Sequence, residues 1–202
     1  MPTSRGSREP AMDEAIAYWS RVLAGAPPEL VLPTEPLPTE RRSVSEQVPP
    51  IELPLPMDAV AQLRARATEL NLELKAVAAA CLAYVAAYHA REDEVLLLLP
   101  GVDAGQSSSE ADAATRAAAV LRLAVDRGAA SVTSLASLAT AAQEQLLSAA
   151  RPEHALDAET LLEAGPEAWR GAARPLALGL SSGRGQPAMP PLAGARRLAP
   201  AA

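Results

Sequence analysis

Apolar residues recur at helical spacing in four long segments and one short segment of the chain. Apolar positions three and four residues apart are typical of an amphipathic helix, and a helix that is apolar nearly all round is typical of a buried one. The predicted helices are 13–24, 57–70, 72–90, 131–150 and 157–164. Asp13 is the predicted cap of the first helix, and the almost wholly apolar segment 72–90 is the predicted buried helix.

Strand patterns occupy two longer segments and two short ones. Residues 94–100, rich in Val and Leu, predict a strand covered on both faces. Residues 117–126 predict a second strand, although their alanines favour a helix equally well. Alternating residues predict a short edge strand at 51–55 and a last short strand at Leu176, Leu178 and Leu180. The order of elements predicts an α/β fold, a layered mixed sheet with helices packed on it.

Segments rich in proline, glycine and polar residues divide the chain. Residues 1–10 predict a disordered lead-in, and residues 183–202 predict a disordered tail. Between them, residues 11–182 form the predicted folded unit. That unit includes an extended connector at 26–50, which holds seven prolines.

Composition excludes several functional classes. The chain has 202 residues, a formal net charge of -6 and no Phe, so it lacks the basic charge that nucleic-acid binding requires. Its longest strongly apolar stretch is far shorter than a membrane span of about 20 residues, and the first residues do not resemble a secretory signal. The single cysteine, Cys81, cannot form an internal disulfide, which predicts a cytoplasmic protein.

Few residues have the chemistry of a catalytic or metal site. His89 at the end of the predicted buried helix is either a general base or a helix-end residue favoured by the helix dipole, and His154 lies in a predicted loop. Cys81 is predicted to be a small buried hydrophobe. The acidic run of Glu92, Asp93 and Glu94 indicates a solvated turn. We therefore predict no catalytic, cofactor-binding or metal-binding residue.

Two tryptophans are the largest apolar side chains of this aromatic-poor chain. Trp19 is predicted to anchor the first helix, whereas Trp169 is either a packing residue or a contact for a partner.

Several blocks of sequence resemble the condensation domains of nonribosomal peptide synthetases. Residues 17–28, Ala-Tyr-Trp-Ser-Arg-Val-Leu-Ala-Gly-Ala-Pro-Pro, and 30–35, Leu-Val-Leu-Pro-Thr-Glu, resemble the passage from the family's first lobe to its second. Residues 83–97 resemble its helix leading into a central strand. The likeness runs collinearly from 13 to 181, and it implies the second, C-terminal lobe of a chloramphenicol acetyltransferase-like fold.

The departures from this family concern its catalytic signature. The family's His-His-x-x-x-Asp-Gly motif is absent, since the chain contains no adjacent histidines. Alanines replace the family's Phe-Phe-Val-Asn-Thr-like segment near 113–120. Active sites of that fold lie in a channel between two lobes, which one lobe cannot form.

The resemblance therefore implies a truncated, non-catalytic pseudoenzyme of secondary-metabolite biosynthesis that acts as a scaffold or docking partner. Two alternatives remain open. One is half of a split acyl or peptidyl transferase, completed by a partner chain with the His motif, and the other is a non-functional remnant.

The implied partners are a synthetase subunit or a carrier protein. An acidic carrier surface would favour basic contacts, for which the candidates are Arg64, Arg66, Arg116 and Arg122. A single lobe should also expose an apolar face, which predicts self-association or a second kind of partner.

Overall fold

The computed structural model describes residues 8–27, 30, 54–99, 117–127, 134–165, 169 and 176–178 of the chain. The helices are α1 (Arg8–Val22), α2 (Met57–Glu69), α3 (Leu74–Ala90), α4 (Leu135–Ala149) and α5 (Ala158–Ala164). The strands are β1 (Glu94–Leu99), β2 (Ala119–Ala124) and β3 (Leu176–Ala177). The predictions for the residues of 1–10, 26–50, 51–55 and 183–202 not given above lie outside the described residues.

The described strands form a mixed three-stranded sheet in the order β2-β1-β3. β1 pairs antiparallel with β2, so that Leu97 lies opposite Leu121, and parallel with β3, so that Leu97 lies opposite Leu176. Every residue of β1 after Glu94 is buried, as predicted for a strand covered on both faces. The alternative of a helix at 117–126 is wrong, because residues 119–124 of this segment pair with β1. The predicted α/β fold, with helices on a mixed sheet, is confirmed.

The core is filled by small and medium side chains, as the absence of Phe requires. Alanines line the buried face of α3, where it packs on α4 and β1. The two tryptophans are the largest fully buried residues, each 1% exposed. A Cβ at Gly165 would overlap the indole ring of Trp169, so the chain needs a glycine where α5 ends. Trp169 is therefore a packing residue.

Helix boundaries follow the local sequence closely, with one clear exception. α2 and α3 end before Asn71 and Arg91, which adopt the left-handed conformation with φ of 54° and 59°. α1 begins at Arg8, inside the predicted lead-in, so the prediction that Asp13 caps this helix is wrong. Pro10 permits the earlier start, because the first turn of a helix does not use its backbone N–H groups for internal hydrogen bonds.

Arg122 of β2 joins three other elements through its side chain and backbone. Its guanidinium pairs with the Glu94 carboxylate of β1, and its Nη1 donates to the carbonyls of Val22, at 3.2 Å, and Ala24, at 2.8 Å. These carbonyls lie at the C-terminal end of α1 and just beyond it, where a cation is favourable. The backbone N–H and C=O of Arg122 both bind the amide of Gln145, at 2.7 and 2.8 Å. Gln145 of α4 thereby blocks this position of the β2 edge against pairing with another strand.

We expect Arg122→Ala to lower the free energy of unfolding by about 2–4 kcal/mol, because it leaves a partly buried carboxylate and two carbonyls without their donor. Urea unfolding measures this loss. Arg64→Ala, at an exposed position of α2, is the control and should change stability by no more than about 0.5 kcal/mol. Equal losses for the two variants would contradict the role assigned to Arg122.

Asp157 caps α5 and should make stability depend on acid pH. Partial burial of the carboxyl acts in the opposite direction, but hydrogen bonds from the Thr160 N–H, the Thr160 hydroxyl and the Glu159 N–H lower the pKa of Asp157. A carboxyl with a lowered pKa in the folded state stabilises the protein above its unfolded pKa of about 4, and this stabilisation is lost as the pH falls through the folded pKa.

Asp157→Ala should therefore cost about 1 kcal/mol at neutral pH, and the difference from the unmodified protein should shrink as the pH falls below about 4. Thermal or urea unfolding from neutral to acid pH tests this expectation. Glu153→Ala, at an exposed acidic position, is the control, and a difference that stays constant with pH would contradict the assignment.

Candidate functional site

The outer face of α3 carries three exposed apolar side chains. Tyr84, Val85 and Tyr88 are 40%, 52% and 70% exposed, and we call these three residues the α3 stripe. Positions i, i+1 and i+4 share one side of a helix. The opposite side of α3 is lined by alanines and is buried in the core. The prediction that this helix is buried all round is therefore wrong for its C-terminal half.

Charge is absent from this part of α3. The segment from Ala76 to Tyr88 contains no Asp, Glu, Lys, Arg or His, and after it the first Asp, Glu, Lys or Arg residues are Arg91 and Glu92, beyond the helix. The stripe is thus an apolar surface on a stretch of helix without acidic or basic residues. Its signal in the sequence is that two of the chain's three tyrosines lie four residues apart in an alanine-rich helix.

The four arginines predicted as basic contacts have different environments. Arg64 and Arg66 are exposed on α2, and Arg66 pairs with Glu69 at 2.6 Å. An exposed pair of this kind contributes little energy, so Arg66 remains accessible to a partner. Arg122 is bound to Glu94 and to the end of α1, so its guanidinium is already paired within the fold. Arg116 lies outside the described residues.

The acidic run before β1 is only partly the solvated turn that was predicted. Glu92 is exposed, but Glu94 is the first residue of β1 and pairs with Arg122. Asp93 pairs with Arg127 at 2.9 Å, and Arg127 also donates to the carbonyl of Arg91. Two of the three carboxylates therefore hold strand ends and turns together.

His154 has a packing role that the sequence did not reveal. Its ring stacks on Tyr18, with 3.5 Å between the ring centroids and 8° between the ring planes. Its Nδ1 lies 2.8 Å from the carbonyl of Ser148, and because a carbonyl only accepts, Nδ1 carries the proton. The carbonyl of His154 itself accepts from Trp19 Nε1 at 2.8 Å. The predicted anchoring of the first helix by Trp19 is confirmed.

The remaining candidates do not assemble into a reactive group. His89 is exposed in the last turn of α3, and its ring meets Tyr88 edge-on. Cys81 is half-buried, and burial raises the pKa of its thiol, which reduces the thiolate present at neutral pH. Among the residues that the structure describes, no three His, Cys, Asp or Glu side chains are grouped to hold a metal ion.

The length and apolar character of the described helices bear on whether one of them could cross a bilayer. None is by itself long and apolar enough to cross a bilayer. α2 and α3 reach that length and composition only when taken together, and the pair is bent by 111° at the break between them.

Solved structures similar to this chain come from a nonribosomal peptide synthetase. The chain superimposes on the monoclinic crystal form of the EpoB cyclization-docking bidomain from Sorangium cellulosum with a TM-score of 0.57 and 23% identity, covering 86% of this chain and 35% of that one. For the rhombohedral form of the same bidomain, the TM-score is 0.53, the identity is 21%, and the coverage is 81% and 31%. No protein-family model and no curated protein matches the sequence.

These comparisons define the class of fold. The chain has the fold of part of a condensation-like domain of a nonribosomal peptide synthetase, which confirms the resemblance inferred from its sequence. It spans about a third of the length of the chains it matches. Its assignment to the second lobe stays a prediction.

We expect His154→Phe and His154→Ala to separate the two contributions of this ring. Phenylalanine keeps the stack on Tyr18 but loses the hydrogen bond to Ser148, at a cost of about 1 kcal/mol, whereas alanine loses both and should cost about 2 kcal/mol. Urea unfolding measures the two losses, with His89→Ala as the control at an exposed histidine. The assignment fails if His89→Ala destabilises the protein as much as His154→Ala.

Proposed function

We propose that this chain is a non-catalytic, condensation-like protein of nonribosomal peptide biosynthesis that acts as a scaffold or docking partner in the cytoplasm. The observation that supports this most is the fold, which it shares with about a third of a synthetase's cyclization-docking bidomain. The partner that we propose is a synthetase subunit or a carrier protein. The product of the pathway is not part of the proposal, because a shared fold does not specify a substrate.

The positions of the histidines support a role without catalysis by this chain alone. General-base catalysis requires an imidazole within hydrogen-bond reach of the proton it removes. His154 instead stacks on Tyr18, and its Nδ1 proton is donated to a backbone carbonyl. His89 lies at the end of a different helix, and the chain has no His-His pair from which the family's motif could be built.

The basic side chains of α2 support a carrier protein as the partner. Arg64 and Arg66 are exposed, and the only ion pair of Arg66 among the described residues is the surface pair with Glu69. A partner carboxylate can replace Glu69 at small cost, because an exposed pair is worth about 0–1 kcal/mol. Complementary charges of this kind increase the rate and the specificity of association.

A second candidate function is one half of a split acyl or peptidyl transferase. The observation that favours it is coverage, since the chain spans only about a third of the bidomain whose fold it shares. A separate chain carrying the His-His-x-x-x-Asp-Gly motif would supply the missing base. Transfer activity that requires both chains would establish this function, and binding without activity would leave the docking role.

Purified synthetase subunits and carrier proteins from the producing cell, tested against the full chain by biolayer interferometry, test the docking function. We expect saturable binding that weakens as salt increases, because the contacts are between charged groups. Charge reversal by Arg64→Glu with Arg66→Glu should weaken binding by about tenfold or more.

Arg21→Glu is the control, because it reverses an exposed charge on a different helix. Failure of every synthetase subunit and carrier protein to bind would remove the docking proposal. Absence of binding together with a poorly cooperative unfolding transition would favour the third interpretation, a non-functional remnant.

A further inference from the structure

We draw no further inference here: the strongest candidate, the α3 stripe of Tyr84, Val85 and Tyr88 on the outer face of its helix, is an apolar surface patch, and nothing in the part of the chain that the structure describes shows what covers it.

Discussion

The junction at Arg122 sets the relative positions of four described elements, α1, α4, β1 and β2. Its guanidinium pairs with Glu94 at the start of β1 and donates to carbonyls at the C-terminal end of α1, while its backbone binds Gln145 of α4. A partly buried guanidinium has several N–H donors, and each donor that lacks an acceptor costs free energy. The position of α1 on the sheet therefore depends on the Arg122 side chain. The position of α4 at the sheet edge depends on the Gln145 side chain and the backbone of Arg122.

Hydrogen bonds between distant parts of the chain also hold Tyr18 and Trp19 of α1 in place. Tyr18 and Trp19 contact the turn after α4, and the hydrogen bonds to Ser148 and to the carbonyl of His154 span 130 and 135 residues of sequence. In a chain without Phe, these side chains supply bulk that alanines and leucines do not. The Tyr-Trp pair, which carried much of the family resemblance, thus has a packing role in this fold.

The two faces of α3 differ in burial. Its alanine face allows close approach to α4 and the sheet, since small side chains keep helices near their neighbours. That close packing leaves Tyr84 and Tyr88 exposed on the outer side of α3. The core of the described residues is formed without these two side chains. Tyr84, Val85 and Tyr88 are therefore exposed at the surface of α3, as Arg64 and Arg66 are on α2.

The amino-acid sequence by itself determined the mixed α/β fold, the extents of α2, α5 and β1, and the likeness to a synthetase domain, because periodicity, caps and breakers such as Asn71 act locally. It did not determine the start of α1, the partners of Glu94 and Arg122, the stacking of His154 on Tyr18, or the exposed side of α3. Each of these depends on residues distant in sequence, and an apolar helix pattern cannot show which neighbour covers which face. Tertiary packing alone decided them, since burial and charge pairing are properties of the assembled layers.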